Sequence, residues 1–108
     1  MEFPKELITR SQEITKQVLE CEKTNKPIEH LVKEQIKIME QHHDAFVKQA
    51  EQDGIDNIGR ARIEVKLYNN MKTWARKIGL STEKYDNAIH NIRVKFLGEE
   101  NTKKYFNA

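Results

Sequence analysis

The chain has 108 residues, 37% of them hydrophobic and 33% charged, with a formal net charge of +2. That length suits one domain with one modest core, and the supply of Ile, Leu and Val excludes a disordered chain. Four glycines and two prolines are too few for the closely spaced turns of an all-β fold, so long helices are expected, with residues 1–108 forming a single domain.

No apolar run approaches the roughly 18 residues that a membrane span requires. The first ten residues, MEFPKELITR, carry charges where a signal peptide is apolar, so the expectation is a cytoplasmic protein with no membrane role. Cys21 is the single cysteine, which removes an internal disulfide and a cysteine zinc cluster.

Four helices are expected in chain order, at about 4–23, 27–53, 57–78 and 82–97. In the first, Leu7, Ile8, Ile14, Val18, Leu19 and Cys21 recur at helical spacing. Pro4 fits a first turn, and Phe3 is placed to staple onto Leu7. Thr24 to Pro27 reads as a break, with Pro27 opening the second helix. That helix carries Ile28, Leu31, Val32, Ile36, Met39, Phe46, Val47 and Ala50 on one stripe, with His43 on it and His42 beside it. Gly54 followed by Ile55 is a left-handed stop signal.

Asp56 is the expected N-cap of the third helix. Its stripe is Ile58, Ala61, Val65, Tyr68, Ala75 and Ile78, and a second set, Ile63, Leu67, Met71 and Trp74, runs beside it. Such an arc is wider than an outer bundle helix needs, so this helix is either central or covered by the tail or a second copy. Gly79 and Leu80 repeat the stop signal, and Ser81 or Thr82 caps the fourth helix. The fourth stripe is Tyr85, Ala88, Ile89, Ile92, Phe96 and Leu97, ended by Gly98. A short polar tail follows, in which Tyr105 and Phe106 could dock on the third helix. The fold class expected is all-α: an antiparallel up-down bundle or an irregular array of four main helices.

Chemistry is sparsely signalled. Glu40 and His43 form a Glu-x-x-His pair of the sort di-iron bundles use, but those need a second such pair, and this chain has none. His30 with Glu34, and Asp86 with His90, stand at i, i+4 and read as solvated surface. Cys21 on an apolar stripe reads as an inert small hydrophobe. No nucleophile elbow, phosphate loop or dinucleotide fingerprint is present. The chain is therefore read as no enzyme, with no catalytic residue, metal, cofactor or small-molecule substrate.

Charge is uneven: the half to Gly54 carries −3 and the half from Ile55 carries +5. Within the basic half, Met71 to Lys95 has helix-turn-helix spacing, with Trp74, Ala75, Ile78, Gly79, Leu80, Tyr85 and Ala88 at the packing and turn positions. The run from Ala88 to Phe96 resembles the DNA-reading helix of small bacterial response regulators, over less than a quarter of the chain. That resemblance implies a DNA-binding regulator. Ser81, Thr82, Asn87 and His90 would face bases, and Arg62, Lys66, Arg76, Lys77, Lys84 and Arg93 would serve phosphates. Against it stand Glu83 and Asp86 on the reading face and a first helix of about six turns.

The leading expectation is different. Ile63, Leu67, Met71 and Trp74 on the wide arc point to contact with another protein, or with a second copy in a homodimer. A small non-catalytic adaptor, inhibitor or assembly factor is the expected class, and a DNA-binding regulator is the alternative.

Overall fold

The computed structural model describes residues 4–98 and contains four helices: α1 (Lys5–Lys23), α2 (Glu29–Asp53), α3 (Asn57–Lys77) and α4 (Glu83–Leu97). The described residues contain no strand. Phe3 and the tail after Gly98, for which a staple and a docking role were expected, lie outside the described residues.

Local chemistry sets the helix ends. After α1, Asn25 takes the left-handed conformation at φ 56° and the Lys26 N–H closes onto the Cys21 carbonyl at 2.9 Å. Asparagine is the residue besides glycine that best tolerates this cap. The cap delays α2, so Pro27 precedes the helix instead of opening it. Ile28 is the flanking residue, and its carbonyl receives the first bond, from Val32 N–H at 2.9 Å. Gly54 ends α2 at φ 66°, and the Ile55 N–H returns to the Ala50 carbonyl. Two residues on, the Asp56 carboxylate caps α3 by accepting from the Gly59 N–H at 2.7 Å. At the start of α4 the two hydroxyls divide their roles. Ser81 Oγ accepts from the Glu83 N–H, whereas Thr82 Oγ1 donates to Asp86 Oδ2.

Successive helices run antiparallel, and only consecutive ones approach through their backbones. Arg10 of α1 meets Glu34 of α2, His43 of α2 meets Glu64 of α3, and Lys72 of α3 meets Asp86 of α4. The result is an open array measuring 48 × 33 × 16 Å rather than a closed bundle. Its radius of gyration is 15.7 Å, against about 13 Å for a compact chain of this size.

The core gathers where α1, α2, α3 and the start of α4 converge. Ile14, Val18, Leu31, Val32, Ile36, Ile38, Met71, Ala75 and Tyr85 are buried there, with Leu7, Cys21, Trp74 and Ile78 packed against them. Gln35 is buried among them and ties α1 to α2, its Nε2 donating to the Ser11 carbonyl and to Thr15 Oγ1.

Three stripe residues stay out of the core: Ile8 is 45% exposed, Leu19 54% and Ile58 61%. Each lies at the margin of its stripe, and α1 has only α2 along its length, so α1 buries a narrow face. No helix among the described residues is long and apolar enough to cross a membrane.

A candidate groove between three helices

α1 and α3 both pack on α2 and run in the same direction. They converge near the end of α1, where Lys77 Nζ lies 3.4 Å from Glu22 Oε2. Toward the start of α1 they part, and an open groove of about 390 Å³ lies over α2. It is lined by Ile8, Ser11 and Gln12 from α1, Ile38, Met39 and His42 from α2, and Leu67 and Asn70 from α3. The floor is apolar, the polar lining is Ser11, Gln12, His42 and Asn70, and no carboxylate lines it. Ile63, one turn before Leu67 on α3, is 40% exposed and extends the apolar surface beyond the groove.

The expected contact residues therefore separate. Ile63 is on the surface and Leu67 lines the groove. Met71 is 0% exposed and is a core residue, which corrects its expected place at an interface. Trp74 is half-buried against the same core, with Lys77 Nζ 5.7 Å from its ring centroid. The width of the α3 arc is real, but α1 and the central core consume its Met71 and Trp74 portion.

The basic residues divide too. Arg62 and Lys66 are exposed, and neither makes an ion pair among the described residues. Their four-residue spacing continues to Asn70, which puts them on the lip of the groove. Arg76 lies on the opposite flank, where its charge helps hold the Asp86 carboxyl below its ordinary value after the larger effects of Lys72 and Thr82. Lys77 is engaged by Glu22, and Lys84 by Glu40 at 3.6 Å and by the Tyr85 ring. Ser81 and Thr82 are spent on the α4 start. Asn87 and His90 are exposed, and Arg93 is half-buried.

The expected helix-turn-helix is not formed. Lys72 contacts Asp86 at 2.6 Å and Arg60 stacks on Phe96 at 4.8 Å, so α3 and α4 lie side by side over most of their length. A helix-turn-helix crosses at about 90–120° instead. The stop-and-cap chemistry of Gly79 to Thr82 serves a plain antiparallel hairpin.

A second polar assembly lies between α2, α3 and α4, and the hydrophobic pattern gave no sign of it. Glu64 is 5% exposed. Its Oε1 is 3.1 Å from His43 Nε2, and its Oε2 is 3.5 Å from Arg60 Nη2. His43 packs on Tyr68 at 4.5 Å between ring centroids. Beside it a small cavity of about 120 Å³ is lined by Glu40, His43, Asp44, Tyr68, Met71, Lys84 and Tyr85. Burial raises the Tyr68 phenol above its ordinary value, and the carboxylates of Glu64, Asp44 and Glu40 add to that. Burial raises Tyr85 likewise.

The Glu40 and His43 side chains do not converge as a metal pair, since Glu40 meets Lys84 and His43 meets Glu64. Among the described residues, no group of three or more His, Cys, Asp or Glu is placed to hold a metal ion. Asp86, paired at sequence level with His90, is instead held by Lys72 and Thr82. The Arg60–Glu64–His43 assembly has the geometry of a structural network: each member faces another, and the groups hold α2 against α3.

No protein-family model matches the chain. Comparison with curated proteins and with solved structures likewise yields no match.

Proposed function

We propose that this protein is a non-catalytic binding domain that acts by contact with another protein, and that the contact is made in the groove between α1 and α3. The observation that carries this reading is the groove itself. It pairs an apolar floor with polar lining residues, none of them a carboxylate, and continues onto the exposed Ile63. Clefts between helices with this lining are frequent recognition sites, and an amphipathic partner anchors in them through alternate turns.

The DNA-binding alternative loses its motif geometry, and its cations lie on opposite flanks of α3. It keeps only the unpaired Arg62 and Lys66.

The test is site-specific photo-crosslinking in the native host, with the reactive group at position 63 beside the groove and, as control, at position 87 on α4. A discrete protein adduct from position 63, absent from position 87 and lost in a folded Leu67→Asp variant, is the expected outcome. An adduct of twice the chain mass would identify the partner as a second copy. Equal labelling from both positions, or none from position 63, would remove the groove as the contact surface. Nucleic-acid adducts would reinstate the DNA reading.

A further inference from the structure

The lips of the groove say what kind of partner it fits. On α1, Lys5, Ile8, Gln12 and Lys16 follow one another at three- and four-residue steps and form one ridge. On α3, Arg62, Lys66 and Asn70 form the facing ridge. Ile8, Gln12 and Asn70 line the groove, so of the four cations Arg62 and Lys66 stand along its α3 edge, whereas Lys5 also lines a hollow with Glu6 and Glu13 on the other side of α1 and Lys16 is followed one turn on by the exposed Glu20. All four are exposed, and none makes an ion pair among the described residues.

Two acids of α1, Glu6 and Glu13, are turned elsewhere. They line that hollow with Lys5 and Arg10 on the far flank, where Arg10 is bonded to Glu34 at 2.7 Å. Glu22, on the groove side, is matched by Lys77. The groove therefore carries uncompensated positive charge on its α3 edge, at Arg62 and Lys66, beside an apolar floor.

We infer that the groove receives an amphipathic helix of a partner protein, with aliphatic anchors on one face and Asp or Glu flanking them on the side toward α3. This rests on the reading of the groove as the contact surface and adds the chemistry of the occupant. The slot suits a helix because its two walls are themselves helices running in one direction over a third. An occupant lying along α2 would meet α1 and α3 at ordinary helix packing distance, about 8–10 Å between axes. Its anchors at i, i+3, i+4 and i+7 would reach Ile8, Ile38, Met39 and Leu67, and its carboxylates would reach Arg62 and Lys66. A nucleic-acid backbone has the charge for the rim but nothing to bury on the floor, so a helix is favoured over a duplex. Matched charge at a rim acts mainly on association rate and partner choice, and is sensitive to salt.

The experiment uses the full chain and three probes, observed through the methyl resonances of Ile8, Ile38, Met39 and Leu67. The first probe is a synthetic helix of about 16 residues, some four turns, with Leu anchors and Glu flanks. The second replaces each Glu by Lys, and the third is a mixed DNA duplex. The expected result is that the Glu-flanked helix shifts the groove methyls and the Lys-flanked one does not. A Lys66→Glu, Arg62→Glu variant should weaken the first probe by about tenfold or more and admit the second. These are exposed positions, so the variant should keep its fold, which its circular dichroism and melting would verify. Equal binding of both helices would overturn the acidic assignment while leaving the groove as a contact surface. Failure of both helices to move those methyls would overturn the acidic helix and the groove reading together. Methyl shifts by the duplex alone would hand the rim to a nucleic acid.

Discussion

The two flanks of α3 show how one helix can be finished on one side and left open on the other. Toward α4, most long side chains have a partner: Lys72 has Asp86, Arg60 has Phe96 and Glu64, and Tyr68 lies 6.3 Å from Tyr85 between ring centroids. Toward α1, the same helix offers Leu67 and Asn70 to an open groove, Ile63 to solvent, and Arg62 and Lys66 to nothing charged. Composition does not explain the contrast, since both flanks mix aliphatic and cationic residues. What differs is the supply of neighbours. The hairpin brings α4 along α3, whereas α1 begins only at Lys5, and its backbone does not approach that of α3. An unfinished flank of this type is where binding is expected, because stability does not depend on it.

That difference can be broken first by truncation. Met71→Ala in the core should cost about 3 kcal/mol, the usual scale for removing a fully buried long side chain. Leu67→Ala on the open flank should cost less than half of that. Urea denaturation of the two variants compares them directly. Equal losses would mean that Leu67 is core and the groove closed.

The second probe is the polar network on the finished flank. Glu64→Leu leaves the Arg60 guanidinium and the His43 ring without their shared carboxylate. A loss of about 2–3 kcal/mol is expected, since the orphaned cation is largely buried but retains Glu51 at 3.8 Å. A stabilised variant would show that packing at this position outweighs the network.

The third and smallest effect is one of pH. Tyr68 and Tyr85 are raised above 10.0 in the fold, chiefly by burial. Groups raised on folding contribute stability that is intact below their unfolded value and lost as pH rises through the folded one. The melting temperature should hold up to about pH 10 and fall above it. A Tyr68→Phe, Tyr85→Phe variant should lose part of that fall, and an unchanged profile would place both phenols in contact with solvent.

How much of this was legible in the sequence follows from the reach of each signal. Asp56, Gly54 and Gly79 act within a few residues of themselves, so the helix boundaries could be read to within two residues. Asn25 was missed because the eye goes to Pro27, although an asparagine in that position can close a helix alone. Of the two arrangements that the four amphipathic stripes allowed, a bundle or an irregular array, the open array is the one formed. A stripe shows that a helix has a buried face but not how many neighbours share it, and Ile8 and Leu19 were counted as core on that account. Glu64 and Gln35 were invisible for a related reason: a polar residue carries no hydrophobic period, and its partners His43, Ser11 and Thr15 lie some twenty residues away in the chain. The groove was half legible. Ile63 and Leu67 stood out on the wide arc, but Met71 and Trp74 stood out equally. Nothing in α3 alone could say which half α1 would cover.

Because only consecutive helices approach through their backbones, the chain can assemble step by step, hairpin by hairpin. Short loops close cheaply, and such local topologies fold quickly. The same arrangement gives the array two free ends. α1 is anchored to α2 by Ile14, Val18, Arg10 and Gln35, with Glu22 reaching Lys77, and its swinging away would uncover Met71 and Ala75 but spare the Lys72–Asp86 and Arg60–Phe96 contacts of the α3–α4 hairpin. Partial opening of that end would widen the slot over α2 well before the whole chain unfolds. A bulky partner could thus be admitted at the cost of one helix's attachment rather than of the entire fold.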